Sequence, residues 1–399
     1  MITKQLIETI YRAANIQRWN DHVRPVGFAE LDKQAHKMII AYVIAKFEES
    51  AGGTINWENL IEGGIFEFFH RVKLTDLKPD VFHELMEKKG IQLNNWVIKE
   101  LDKDVQKLGQ SFKSRFEKYL SDKKYAEKEK KVLEAAHYFA TNWEFRIIYE
   151  MNKTLHGIEK TKEEIENKIK DYYDLAGVKK IVENKHYYGF LDVCGQLGFQ
   201  QRWAQMRMMP RTSVLGHMMI VAILTYLCLM DKNLSKKRMY NNFYCGLFHD
   251  LPEVMTRDII NPVKTSIPGL DDIIREFEKK QIEEKILPLL PSEWHEEINY
   301  FVQNEFKNKI MKNGNVSEVK EIEEINNSDE FSPIDGKFIE ACDKFAAFVE
   351  ACLSINYGIK SRELDDAKEK LFEKFGNKEI SGFKFNSLFK HFAETVYKP

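Results

Sequence analysis

The residues best placed to do chemistry are His249 and Asp250, which stand together at the end of an apolar, aromatic run from Phe243 to Phe248. An imidazole and a carboxylate are costly to bury without partners, and a shared cation is the economical way to satisfy both. Glu253, Thr256, Asp258 and the segment Pro262-Val263-Lys264 follow. If a helix ran from His249 to Glu253, the two side chains would share one face about 6 Å apart along the axis, and a ligand and an acid or base would serve one cavity. Two more polar groups interrupt apolar stretches: His217 precedes Met218 to Met230, and Asp343 lies among Phe338, Ala341, Ala346, Ala347 and Val349. Together His217, His249, Asp250 and Asp343 make a nitrogen and carboxylate donor set. It suits one borderline divalent ion per chain, such as Mn, Co, Ni, Fe or Zn, with water completing the sphere. Such an ion makes hydroxide available near neutral pH. Glu253 or Asp258 would orient the water or protonate a leaving oxygen. Arg202, Arg207, Arg211 and Lys264 would hold an anionic substrate by its phosphate oxygens, and Trp203 would stack on a base or close the pocket. The combined chemistry is phosphoester hydrolysis. Any one of these histidines could equally be a satisfied core or cap residue; the argument rests on four such groups sitting where core helices should be apolar.

The elements that must position these residues are helices. Glu, Lys, Leu, Phe and Ala recur at helical spacing, Pro and Gly are sparse, and β-branched alternation is scarce, so the chain is expected to be all-α. Helices are predicted over 1–17, 31–49, 57–69, 80–131 in charged segments, 131–151, 159–185 with Gly177 as a stop, and 187–201. Beyond these come the helix led by His217, the one that delivers His249, then 271–290, 291–312, 337–355 and one or two more before Pro399. The polar, acidic stretch 313–333 is expected to be a mobile excursion that could cap the cleft. The charge-rich segment near 159–185 marks a division into a domain of residues 1–180 and a second of residues 181–399.

The two halves echo each other, which suggests duplication. Arg18-Trp19 lies 18 residues before His36, and Arg202-Trp203 lies 15 before His217. Phe68-Phe69-His70-Arg71 parallels Leu247-Phe248-His249-Asp250, and Ala135-Ala136-His137 parallels Ala341-Cys342-Asp343. Thr75-Asp76 with Lys78-Pro79 faintly parallels Thr256 to Val263. Where the second half has Asp250 and Asp343 the first has Arg71 and His137, a change that removes two hard anionic ligands and argues against a metal there. The first half is then expected to serve packing, dimer formation or effector binding.

The order His217, His249-Asp250, Asp343 resembles the HD-domain metal-dependent phosphohydrolases, an all-helical superfamily. Arg202-Trp203, the segment Arg207 to Thr212, Glu253, Thr256, Asp258 and Pro262-Val263-Lys264 are similar to the bacterial 5'-deoxynucleotidases, the YfbR-like group. The resemblance implies that His217, His249, Asp250 and Asp343 are the metal ligands. It makes Glu253 and Asp258 the catalytic acidic pair, with Asp258 also sensing the sugar. Arg202, Trp203, Arg207, Arg211, Thr256 and Lys264 become substrate-binding residues. It also implies release of phosphate from deoxynucleoside 5'-monophosphates with Co, Mn or Cu, and often a homodimer. The resemblance is specific from about 195 to 265 and around 343, and it covers the first half only as a degenerate copy. Gly216 and Met218 flank His217 where the relatives favour Glu and Ser, and the chain between Asp258 and Asp343 is longer than in the compact nucleotidases.

The totals bound the rest. A chain of 399 residues predicts two or three domains. Its 60 basic and 62 acidic residues leave a formal charge of -2, which gives no electrostatic case for nucleic acid as a partner. Five cysteines without a CxxC pair fit a reducing compartment. The start of the chain lacks a signal-peptide profile, and Met218 to Met230 falls short of the roughly 20 residues that span a bilayer. The expectation is a cytoplasmic protein with a small anionic substrate, a nucleotide. Competing functions are a phosphodiesterase or pyrophosphohydrolase for a nucleotide second messenger or nucleoside triphosphate, and a non-catalytic regulatory or scaffolding protein.

Overall fold

Stretches in which apolar residues recur every three or four positions fold as helices joined by short turns, and a computed structural model describes residues 2–75, 77–259 and 267–394. The chain divides into two units, Thr9–Gly198 and Phe199–Pro399, the latter joined by Met1–Glu8. The division falls later than residue 180, because the helix Lys185–Gln196 belongs with the first unit. Leu191 O bonds His36 Nε2 at 2.8 Å, and the Asp192 carboxylate accepts from Trp143 Nε1 at 2.8 Å.

The chain opens with α1 (Lys4–Arg12), whose residues from Thr9 on belong to the first unit, and continues there with a two-stranded ladder, β1 (Gln17–Arg18) against β2 (Phe28–Ala29). The central helix is α2 (Glu30–Ser50), buried on nearly every side by α3 (Trp57–Leu74), α6 (Glu127–Asn152), α8 (Ala176–Glu183) and α9 (Lys185–Gln196). Helices α4 (Pro79–Lys107) and α5 (Gln110–Ser121) pack on each other, and α7 (Ile158–Lys170) packs on α6. Phe66 holds α5 to α3 through rings 5.2–5.5 Å away at Phe112, Phe116 and Tyr119. Gly177 does not stop a helix: it lies in the first turn of α8, where a Cβ would stand 2.6 Å from Ile44 O. Its missing side chain lets α8 cross α2 in backbone contact.

In the second unit α10 (Val214–Leu229) is buried along its whole length and starts at Ser213, whose hydroxyl accepts from Gly216 N at 2.9 Å. It packs against α11 (Lys236–Phe248) and α15 (Gly336–Asn356). The α10–α11 approach is close enough that a Cβ on Gly246 would meet Ala222 Cα at 3.1 Å. Between α11 and α15 run α12 (Glu253–Thr256), α13 (Leu270–Gln281), α14 (His295–Val302) and a three-stranded sheet of order β4 (Asn315–Glu318), β3 (Asn308–Lys312), β5 (Ile334–Asp335). The unit closes with α16 (Arg362–Phe375), the hairpin β6 (Glu379–Ile380) and β7 (Phe383–Lys384), and α17 (Asn386–Ala393).

Two expectations change here. The helix predicted over 291–312 ends at Val302, and 308–312 is a strand whose register is held by β4 and β5. The stretch 313–333 is tied down rather than loose. Asn327 Oδ1 and Asp329 Oδ1 accept from Ser235 N and Lys237 N, and Ser332 O accepts from Asn241 Nδ2. It caps the start of α11, the end opposite His249. Next to it, Arg238 grips Asp335 with two bonds of 2.7 and 2.6 Å, and Asn242 adds a third at 2.7 Å. This buried fork sets the start of α15 against α11. Among the described residues no helix is long and apolar enough to cross a membrane.

Candidate metal centre

His217 sits in the first turns of α10 and Asp343 in the middle of α15, and packing of the two helices brings His217 Nε2 to 2.9 Å from Asp343 Oδ1. His249 and Asp250 arrive from α11, but not on a continuing helix. The α-helix ends at Phe248, Leu251 and Pro252 turn the chain, and Glu253 begins the four-residue α12. The shared face expected for His249 and Glu253 is therefore replaced by a tight turn, closed by Glu253 N donating to Asp250 O at 3.0 Å. Proline at 252, which cannot donate a backbone hydrogen bond, suits such a turn.

Ligand atoms of His217, His249 and Asp343 lie within 4.8 Å of one another, and all three side chains are buried. His249 Nδ1 donates to Gly246 O at 2.9 Å, which leaves the Nε2 lone pair facing the carboxylates; that nitrogen is buried without a hydrogen-bond partner. This is how a ligating imidazole is held, with one nitrogen fixed by a carbonyl and the other offered to the ion. Asp250 Oδ2 stands 3.0 Å from His249 Nε2 and 4.0 Å from His217 Nε2. Burial alone would raise the Asp250 pKa, but the neighbouring His249, and next His217, lower it. The donors fit one divalent cation.

Beside them a second cluster forms around Glu350, a residue the sequence argument missed. Its carboxylate is fully buried and accepts from Thr212 Oγ1 at 2.7 Å, Trp203 Nε1 at 2.8 Å and Arg202 Nε at 3.4 Å. Arg202 Nη1 reaches 3.9 Å from Asp250 Oδ2, and Glu350 Oε1 lies 3.9 Å from His217 Nδ1. Glu350 thus links the arginine to the metal donors. A glutamate inside the apolar run Ala346 to Leu353, two turns after Asp343, was the available signal. Trp203 packs its ring on Met208, Ala351 and Leu364, as a wall of the site. Lys344, also missed, bonds Asp343 Oδ2 at 2.8 Å and lies over the Phe306 ring.

The other expected residues are distributed unevenly. Glu253 is buried at the start of α12. Asp258 is half-buried, and its charge acts on Arg202. Thr256 donates its hydroxyl to Glu278 Oε1 at 2.8 Å, a bond that ties α12 to α13. Arg207 and Arg211 are exposed on the connection into α10 and form no hydrogen bond or ion pair with the described residues. Lys264, like Pro262 and Val263, lies outside the described residues, as does Asp76 in the first half.

Residues 194–372 match the family described as HD domain. The second unit has an HD-domain metal-phosphohydrolase fold. It is distantly related to the 5'-deoxynucleotidase of Vibrio atlanticus, 27% identical over 133 residues, which cover 32% of this chain and 66% of that protein. A 5'-deoxynucleotidase of Photobacterium profundum is 29% identical over 124 residues, covering 29% of this chain and 59% of the relative. The chain thus spans less than two thirds of the length of either curated relative. The cluster of His217, His249 and Asp343 is thus delivered by α10, the turn after α11, and α15.

Proposed function

We propose that this chain is a metal-dependent phosphohydrolase that releases inorganic phosphate from (deoxy)nucleoside 5'-monophosphates. The observation that carries the reading is the convergence of buried His217, His249 and Asp343 within 4.8 Å, with one histidine nitrogen left for an ion. A divalent ion supplies, when bound, a nucleophile from water near neutral pH and positive charge against the phosphoryl group. Asp250 serves as the fourth ligand, since its carboxylate oxygen is within 3.0–4.0 Å of both histidines. Arg202, held by Glu350, presents its guanidinium to the phosphoryl oxygens, and Trp203 limits the pocket beside it. Glu253 takes or returns the proton, and Asp258 faces the sugar. The names of the two relatives support the monophosphate substrate.

We read the first unit as a changed copy of the same layout that binds no metal. Supporting this, Trp19 and Trp203 share a backbone φ of 55°, and each indole donates to a buried glutamate, Glu144 at 2.7 Å and Glu350 at 2.8 Å. The pairs Gln17 with Ala29 and Gln201 with Ser213 stand at matching distances from these tryptophans. Counted from them, the residue in the place of His217 is Lys33, not His36, which instead packs against Trp143 and bonds Leu191.

The test is phosphate release from a panel of ribo- and deoxynucleoside monophosphates with Mn or Co, beside elemental analysis. Near one metal per chain is expected. Glu253→Gln should lower turnover by about 10²–10⁴-fold with metal retained, Asp343→Asn should lose metal and activity together, and His137→Gln should keep both. Bound metal with a nucleoside monophosphate as product would replace this reading by the diester or pyrophosphate one.

A further inference from the structure

The metal centre has a counterpart of opposite charge in the first unit. Around the second unit's donors the carboxylates Asp250, Asp343 and Glu350 outnumber the cations Arg202 and Lys344, an imbalance that calls for a cation. In the first unit Arg18, Lys33 and Arg71 gather about the carboxylates Glu30 and Glu144, so the excess among the described residues is positive. Arg18 is satisfied: its Nε bonds both Glu144 oxygens at 2.9 and 3.1 Å, and Nη1 bonds Glu30 at 2.9 Å. Lys33 is not, and Arg71 is only loosely held: its Nη2 donates to Leu77 O at 3.5 Å and its guanidinium lies over the Phe82 ring. Lys33 is 2% exposed, and its Nζ has no carboxylate partner, only the two ring nitrogens of His137 at 3.1 Å. Arg71 Nε is buried without a hydrogen bond, 3.7 Å from Glu30 Oε2. Burial, and next the nearby Arg18, push the Lys33 pKa well down, so that an anion beside it would favour its charged form. Arg71 and His137 are half-buried, so the cluster is reachable from solvent.

We propose that the first unit binds a phosphate-type oxyanion at Lys33 and Arg71, without a metal and without hydrolysing it. A buried lysine without a carboxylate partner, beside a guanidinium only loosely paired with Glu30, matches the geometry and charge of a phosphoryl group. Among the described residues no acid takes the place of Glu253, which comes three residues after Asp250: three after Arg71 comes the buried Leu74. The ligand is a phosphoryl group carried either by free phosphate or by a mononucleotide. The proposal stands on the charges of this cluster. The reading of the unit as a changed copy accounts for their position, and one metal per chain with no anion bound would leave that reading intact.

The experiment is calorimetric titration of the full chain, stripped of metal by chelation, with inorganic phosphate and separately with AMP. One site per chain is expected. Lys33→Met and Arg71→Met should each weaken it at least tenfold, and Lys33→Arg should retain it, while Asp343→Asn should leave it unchanged. Should Lys33→Met fail to fold, the partly exposed Arg71→Met carries the comparison. Phosphate binding as tight as AMP assigns free phosphate, and tighter AMP binding assigns the nucleotide. Absence of binding, or binding lost in Asp343→Asn but kept in both methionine variants, overturns the proposal.

Discussion

Glu350 lies two helical turns beyond Asp343 on α15 and binds Arg202, Trp203 and Thr212 at once, so one buried carboxylate orients the basic edge of the site. Its importance comes from contacts across the fold, not from spacing to a motif. His36 shows the converse: it parallels His217 in the sequence and is a core residue. Burial holds its imidazole down at about 4, against the pull of its bond to Leu191 O and of Asp192. An unfolded histidine titrates near 6.5. The depressed native pKa therefore leaves stability intact above pH 6.5 and removes it as the pH falls toward 4, by about 3 kcal/mol for this group. His36→Gln keeps an N–H donor without the titration. Urea unfolding of the two proteins between pH 7 and 4 should show the wild type losing stability faster, and parallel curves would refute the assignment.

At the scale of elements, the site depends on the relative setting of α10, α11 and α15. Their crossing is fixed by the missing side chain at Gly246 and by the Arg238–Asp335 fork, which anchors the first turn of α15 eight residues before Asp343. Removing one partner of a buried pair strands the other charge, at a cost of about 3–5 kcal/mol. Arg238→Met should destabilise the second unit by that order and weaken metal binding, although Arg238 touches no metal donor. Adding Asp335→Asn to it should recover part of the loss. A single variant with wild-type unfolding and metal affinity would show that the fork does not position α15.

For the molecule as a whole, a formal charge of -2 conceals two local imbalances of opposite sign, one in each unit. A ligand that binds only the folded state stabilises the unit that holds it, by about 2.7 kcal/mol at a hundred times its dissociation constant. Added Mn should therefore raise one of two thermal transitions and leave the other in place, with chelator reversing the shift. Asp343→Asn should abolish it. Equal movement of both transitions would mean that the first unit also holds a metal.

The helical class, the order of the main helices and the donors His217, His249 and Asp343 were legible in the sequence because polar groups inside apolar runs are conspicuous there. Other features were not. Glu350 joins the site through contacts between segments 138 or more residues apart. The polar stretch 313–333 looked loose because its partners, the backbone groups opening α11, are invisible to composition. Sequence determines which groups must be neutralised once buried; only the tertiary packing decides which of them meet, because that depends on helix crossings set far along the chain.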